Sequence, residues 1–535
     1  KEIFISNTVI KTRMVISKKA REVLIKGYTT KSDSPKGRVI ERNLIKREIL
    51  IEVQKPKEKT PDNARAILVK GTLAKKSTLS ESDAKKSLRY AIYEGAFNSA
   101  SNTIVNSYST AFALALRATN IEIGLLSALK ALGETVSQIP GGTLTKYFSR
   151  KSVWVYSTII ARLLWIPILL IPFFGGSVAA FIILLAFANF FLALRGPAWT
   201  SLIGDIVPQE IRGRYFGRRN MIMGIAGLVS VLLIGNLLLI SNFQIIFSIS
   251  VGLGLVSVFY FLPVKEIAFG RVFHYGHSIS FNPGSIVKAV RINRNFVLFT
   301  AFLSFMSFAV NIAAPFFVVY MLKDLNIGFF WFTLVIAAGG LVSMISQPYW
   351  GKLADKYGEK KIITITSVLI CLTPFFWLFV SSPVHVILVE GFASFAVAGF
   401  DLINFNFLLA VTPAEKRPSY VANHTFIRGL AIVAGTLLGG IMAQGFSSSA
   451  FLWFAGLQIL FLVSFALRVL SLAMIPMIKD IITRESDLVP VTHVFWQAVA
   501  VEPARGLSHV ISSATAYPYK LEEMKEKIAR KIRSR

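Results

Sequence analysis

Polar residues that could do chemistry lie inside stretches otherwise apolar enough to cross a bilayer. Glu94, Asn98, Ser101, Asn102 and Ser109, with Asn106 beside them, cover about a quarter of a helix circumference at 100° per residue. Such a stripe does not face lipid. It lines a water-filled cavity or hydrogen-bonds neighbouring helices. Glu390 and Asp401, eleven residues apart, fall almost in register on one helix face, with Asn404 close by. Asn189 and Arg195 share another stretch, Asn311 lies in a further one, and Lys130, Glu134 and Gln138 are spaced i, i+4, i+8. Lys130 and Glu134 at that spacing read as an intrahelical ion pair, with a proton-binding Glu134 as the sharper alternative. An ionisable group at the bilayer centre costs about 2.5–3.5 kcal/mol on insertion scales, so each of these needs a reason. Amides and carboxylates of this kind can hold a polar solute. Glu94, Glu134, Glu390 and Asp401 are the candidate proton carriers. Arg162 and Arg468 either snorkel or are buried, and no spacing decides between the two.

Positioning these groups falls to twelve apolar stretches of roughly the 20 residues that span a hydrocarbon core. They lie at 91–117, 121–145, 153–173, 178–206, 221–240, 243–264, 296–322, 329–350, 362–380, 384–411, 426–446 and 451–474. Their length and uniform apolarity indicate helices rather than barrel strands. The composition agrees: 535 residues are 54% hydrophobic and only 16% charged, against about 25% charged in soluble domains. The expected class is an all-α membrane protein with twelve transmembrane helices.

The net charge of +29 is not a nucleic-acid footprint. Residues 1–87 hold 22 Lys/Arg against 10 Asp/Glu, and most of the remaining excess lies in short loops. Loops bearing Lys146, Arg150 and Lys151, then Arg212 to Arg219, then residues 265–294, then Lys352 to Lys361, then Lys416 and Arg417 alternate with loops free of charge. That alternation places both termini in the cytoplasm of a multi-pass protein of the cell membrane. Residues 1–87 form a basic extension, either a small β-rich domain with strands at 23–28, 49–53 and 66–69 or partly disordered. Ser80 ahead of Asp83 caps a helix leading into the first span. A tail follows at 478–535, its basic amphipathic run 521–533 suited to a membrane surface.

The chain repeats itself. Ser137-Gln138 and Gly142-Thr143-Leu144 match Ser346-Gln347 and Gly351-Lys352-Leu353, a shift of 351 − 142 = 209. Pro208, Glu210, Arg212, Tyr215 and Gly224 match Pro413, Glu415, Arg417, Tyr420 and Gly429, a shift of 413 − 208 = 205. Asn102 and Asn311 correspond as well. Two six-helix halves, 88–264 and 296–477, are joined by a linker at 265–295.

Residues 351–361 read GKLADKYGEKK, a short cationic turn between two spans. Gly351, Asp355, Gly358 and Lys360 give this segment a pattern that resembles the signature loop of the major facilitator superfamily. Residues 204–220, GDIVPQEIRGRYFGRRN, resemble the corresponding loop of a prokaryotic permease subgroup of unknown substrate. The resemblance implies a central pathway lined by spans one, four, seven and ten, opening alternately to each side. It implies that Asp355 latches onto the start of the fifth span near Arg218 and Arg219. The first-half copy, GTLTKYFSRK, has Lys146 in place of the acid and Ser149 in place of Gly358, which puts its latch in doubt. Asn98, Asn102, Asn106, Arg195, Asn311, Glu390, Asp401 and Asn404 are the candidate substrate-cavity residues. Arg195 with Asp401 is expected to form or help form an inner gate or the inner edge of the substrate site, unless Arg195 is satisfied within its own half.

No cofactor, metal site or nucleotide-binding loop is expected: His274 and His277 lack partners at ligand spacing, and no GxxxxGK[ST] is present. Asn423-His424-Thr425 matches a glycosylation sequon but falls on the cytoplasmic side. One cysteine, Cys371, excludes an intramolecular disulfide framework. The expected partners are a small organic solute, sugar-like or an amphipathic drug, with coupling to protons, and membrane lipids around a monomer, not nucleic acid. The expected activity is solute transport and not enzymatic catalysis. A non-transporting membrane receptor or scaffold acting through residues 1–87 is the alternative.

Overall fold

The computed structural model describes residues 2–5, 8–11, 80–207, 212–266, 293–412, 417–451, 454–479 and 490–496. Two units divide the chain, Lys1–Ala74 and Lys75–Arg535. In the first, β1 (Glu2–Ile5) and β2 (Thr8–Lys11) form an antiparallel hairpin pairing Ile3 with Ile10. The strands expected at 23–28, 49–53 and 66–69, most of the 265–295 linker, both linker histidines and the 521–533 run lie outside the described residues.

The second unit contains twelve long helical rods among the described residues. They are α1 (Glu81–Ala115), α2 (Asn120–Tyr147), α3 (Arg150–Phe174), α4 (Val178–Ile206), α5 (Arg212–Leu238) and α6 (Phe243–Phe261), then α7 (Arg294–Asp324), α8 (Gly328–Tyr357), α9 (Glu359–Trp377), α10 (Pro383–Val411), α11 (Arg417–Gly445) and α12 (Leu457–Met477). Ten are long and apolar enough to cross a membrane; α1 and α2 fall short because they carry the densest polar residues. Hydropathy alone does not say where a helix begins. The caps do. Ser80 accepts from Asp83 N, Thr119 and Glu122 close a capping box, and Ser149, Ser177, Asn242, Asn293 and Ser382 each accept from a first-turn N–H. Two rods are interrupted. α3 is broken at Leu164, just ahead of Pro167, and α4 at Arg195, just ahead of Pro197, because proline cannot donate to the preceding turn.

Three helix starts and one helix end differ from those expected. α5 begins at Arg212 and α11 at Arg417, each about two turns before its apolar run, so Arg212 to Arg219 and Arg417 lie in the opening turns of helices. α12 starts at Leu457, after a two-residue ladder joining Ala450–Phe451 to Phe454–Ala455. Residues 351–357 are not a turn. α8 continues through them to Tyr357, and Gly358 alone reverses the chain at φ 89°, a left-handed value open to glycine. In the first half Ser149 has φ −62° and caps α3 instead.

The halves repeat in packing as in sequence. Within the first, α1 packs on α5 and α6, α2 on α4, and α3 on α4 and α6; adding six to every label gives the second. Between the halves, α2 packs along α11 and α5 along α8, and no comparable packing joins α4 to α10. Many of the seam contacts gather toward the end opposite the basic loops. Asn120 Nδ2 donates to Ala443 O at 3.1 Å, Lys323 Nζ to Ala118 O at 3.3 Å, and the Tyr108 and Thr333 hydroxyls lie 3.0 Å apart. The backbones meet where Gly124 faces Gly440: a Cβ on Gly124 would sit 2.7 Å from Gly440 Cα and from Thr436 O. Only glycine admits that approach.

Gly124→Ala therefore forces α2 and α11 apart. It should lower stability by about 1–3 kcal/mol, the usual cost of overpacking, read as a lower unfolding midpoint in detergent; an unchanged midpoint would contradict this seam.

Candidate functional site

Glu94 is 1% exposed in the middle of the first half, where an unpaired carboxylate would be prohibitive. Its partner is Arg219 of α5, whose Nη2 lies 3.2 Å from Glu94 Oε2. Arg219 Nε also donates to Ala91 O at 3.3 Å, and the guanidinium covers the Trp199 ring at 4.2 Å. Arg219 thus turns into its own half, toward α1 and α4. Among the described residues its carboxylate partner is Glu94, a pairing that desolvation of both groups makes necessary.

Arg195, at the break in α4, is held in the same half. It donates to Asn98 Oδ1 at 2.8 Å and Thr158 Oγ1 at 3.0 Å, and lies 5.1 Å from the centre of the Trp154 ring. The expected Arg195–Asp401 pair is not formed in this conformation, in which α4 and α10 are not packed together. Asp401, exposed on α10, instead lies 3.7 Å from Arg428 of α11. Arg428 Nε donates to Ser307 Oγ at 2.8 Å, and Asn311 Nδ2 donates to Ser307 O at 2.7 Å. Arg428 was not among the residues singled out from sequence. Its only signal is a basic residue inside α11, one turn beyond His424.

The α1 stripe divides between two roles. Ser101 and Ser250 exchange hydroxyl-to-carbonyl bonds of 2.7 and 2.9 Å that tie α1 to α6, and Ser109 bonds back to Val105 O. The asparagines collect cations. Asn98 Oδ1 accepts from Arg195 and, at 3.3 Å, from Asn102 Nδ2, while Asn102 Oδ1 accepts from Arg162 Nη2 at 3.0 Å. Asn106 Oδ1 accepts from Lys130 Nζ at 2.7 Å. The Lys130–Glu134 ion pair is therefore also corrected: Lys130 reaches across to α1, and no ion pair joins it to Glu134 among the described residues. A cavity of about 150 Å³ lies between α1, α2, α3 and α4, with Asn102, Asn106, Glu134, Arg162 and Asn189 in its wall.

In the second half, Glu390 is half-buried against Gly339 of α8, and no hydrogen bond or ion pair reaches its carboxylate among the described residues. Asn404 is buried with Oδ1 unpartnered among them. At the basic end Asp355 and Arg218 are exposed and Lys360 is half-buried beyond Gly358, with Gly351 inside α8. A cluster that sequence spacing missed stands at the same end. Arg150 bonds Asp205 at 2.6 Å, Glu266 at 2.9 Å and Ser201 at 2.9 Å, tying α3 to α4 and to the segment after α6. No group of three or more metal-ligating side chains occurs among the described residues.

The sequence profile of the Major Facilitator Superfamily matches residues 95–310 and again 297–512. An uncharacterised MFS-type transporter of Methanocaldococcus jannaschii is 25% identical over 270 residues, 47% of this chain and 64% of that one. The quinolone resistance protein NorA of Staphylococcus aureus is 31% identical over 151 residues, 28% of this chain and 38% of NorA. The chain thus spans less than two-thirds of the length of each. Among solved structures, a bacterial homologue of the lysosomal transporter Spinster, inward-facing and unoccupied, superposes with a TM-score of 0.56 at 13% identity, covering 78% of this chain and 99% of that one.

Glu94→Gln leaves Arg219 buried without a counter-charge. It should cost about 3–5 kcal/mol of stability, whereas the double change Glu94→Met with Arg219→Met should recover most of it in the same thermal unfolding assay. Equal loss in single and double variants would contradict the pairing.

Proposed function

The chain belongs to the major facilitator superfamily, and from that premise we propose that it is a secondary active transporter carrying a small organic solute across the cell membrane by alternating access. The observation that carries this reading is the uneven seam. The halves are fastened toward the uncharged end, while ionisable side chains at mid-depth in α2, α10 and α11 (Glu134, Asp401 and Arg428) remain exposed or half-exposed. With the basic loops in the cytoplasm, both termini are cytoplasmic and this conformation is open inward. Rocking one half against the other would bring α4 toward α10, and Arg195 could then face Asp401 as an inner gate. Asp355, at the basic end of α8, serves as the latch of the inward-closed state with Arg218 at the basic end of α5.

Asn98, Asn102, Asn106, Asn311 and Asn404 supply hydrogen bonds for the solute. Glu390 is the proton carrier this reading favours, because its carboxylate sits within a helix bundle with no bonded partner among the described residues. Glu134 and Asp401 are exposed, Asp401 with Arg428 3.7 Å away, and Glu94 is committed to Arg219. The surrounding lipids and a single copy of the chain complete the working unit.

Flux into proteoliposomes tests this. Across a panel of sugars, amino acids and cationic dyes, at least one solute should move faster when a proton gradient is imposed. Glu390→Gln should abolish gradient-driven accumulation while leaving solute exchange at equal pH intact. Silence of the folded, reconstituted protein across the panel would favour a non-transporting receptor.

A further inference from the structure

Each half buries an arginine between its third and sixth helices, but from opposite partners. Arg162 stands twelve residues after the start of α3 and Cys371 twelve after the start of α9 (162 − 150 = 371 − 359 = 12). Gly254 stands eleven after the start of α6 and Arg468 eleven after the start of α12 (254 − 243 = 468 − 457 = 11). In the first half, glycine on α6 clears space for arginine on α3: a Cβ at Gly254 would collide with Arg162 Nε. In the second half, the small Cys371 occupies the position of Arg162, and the arginine comes from α12.

The two arginines, each 2% exposed, differ in how their donors are used. Arg468 is satisfied by the protein. Its Nε donates to Ser464 Oγ at 3.1 Å, Nη1 to Ile370 O at 2.8 Å and Nη2 to Val310 O at 3.4 Å. Among the described residues Arg162 has only Nη2 engaged, on Asn102 Oδ1 at 3.0 Å and weakly on Asn98 Oδ1 at 3.5 Å. Its Nε is buried without an acceptor among the described residues, and its side chain forms part of the wall of the α1–α4 cavity. A buried guanidinium with idle donors is costly unless something completes it.

Charge around the cavity points the same way. Arg195 shares Asn98 Oδ1 with Arg162, so two guanidiniums lean on one neutral oxygen. Glu94, the deeply buried acid nearby, is bound to Arg219. Glu134 on α2 also faces the cavity, but Lys130 lies one turn away on the same helix and reaches Asn106, also in the wall. The wall itself carries one guanidinium, Arg162, and one carboxylate, Glu134. Lys130 behind Asn106 and Arg195 behind Asn98 add two cations just outside it, so cations outnumber acids around the cavity. Val105, Trp165 and Leu185 give the rest of the wall an apolar surface.

We propose that Arg162, helped by Lys130 and the side-chain amides of Asn102 and Asn106, binds an anionic group of the transported solute, a carboxylate or a phosphate monoester, inside the first half. This rests on the transporter reading above and names the class of its solute. Guanidinium and carboxylate or phosphate match in charge and in fork geometry, and an anion would complete the idle donors with charge-assisted bonds. The cavity of about 150 Å³ admits such a group with a short carbon stem.

The test uses the full-length purified chain and its single buried thiol, Cys371, which a maleimide dye reaches on unfolding. Benzoate is compared with benzamide, and glycerol 3-phosphate with glycerol, as stabilisers of the thermal midpoint. At least one anion should raise the midpoint in a saturable way while its neutral counterpart does not, and which one does so separates carboxylate from phosphate. Arg162→Gln should weaken that anion by at least about tenfold, and surface Lys352→Gln should leave it unchanged. Should Arg162→Gln not fold, Arg162→Lys carries the test, with weaker binding because the fork is lost. Equal stabilisation by anion and neutral partner, no stabilisation by either anion, or an Arg162 variant that binds as tightly as the wild type would overturn the proposal. Gradient-driven flux of a neutral solute that persists in Arg162→Gln would leave the transporter reading standing and remove this one. Anion binding that depends on Arg162, with no flux of any solute, would do the reverse.

Discussion

The constraint on which the structure depends is the cost of placing charge where water is scarce. Each half meets it mainly with its own residues. Glu94 and Arg219 neutralise one another, Arg195 rests on an asparagine, a threonine and an indole face, and Arg468 spends its donors on carbonyls and a serine. Because these groups are satisfied inside a half, the halves need few polar contacts with each other. The seam can then be built from close backbone approach, as at Gly124 and Gly440, and a few hydrogen bonds toward one end. Two bodies that are internally bonded and lightly joined can move against one another without exposing an unpaired charge at each cycle.

The groups left over are the ones that suit a changing partner. Glu390 has no bonded neighbour among the described residues, Asp401 sees Arg428 only at 3.7 Å, and Arg162 keeps idle donors beside a cavity. A solute, a proton or the opposite half can complete them. The duplication sharpens the contrast. The same junction holds an arginine with all three nitrogens bonded in the second half and one with a single nitrogen bonded among the described residues in the first, so the fold itself does not require the incomplete arrangement.

Much of the architecture is legible in the sequence because hydropathy and charge alternation act on long segments. The twelve rods, the doubling at shifts of 205–209 and the position of Ser80 as a cap all rest on patterns within a helix or between copies. Partner choice is not legible in this way. Lys130 and Glu134 have the spacing of an ion pair, but the amide of Asn106 on another helix takes the lysine. Arg219 sits in a basic run whose spacing names no partner, but the buried Glu94 of another helix takes it. The 351–357 segment has the composition of a loop, yet a single glycine at 358 makes the turn and leaves the rest helical. Arg162 could not be assigned because its burial depends on Gly254, ninety-two residues away (254 − 162 = 92) on a helix that spacing alone does not bring near.

The central claim is that two rigid halves exchange access by parting and closing at the basic end. Spin labels placed on a cysteine-free background at Thr200 of α4 and Asn406 of α10, both exposed, report that separation directly. Pulsed electron resonance should show two distance populations in lipid nanodiscs, with the shorter one growing when the medium is shifted in pH or a transported solute is added. A single narrow distance, unmoved by either treatment, would contradict the account.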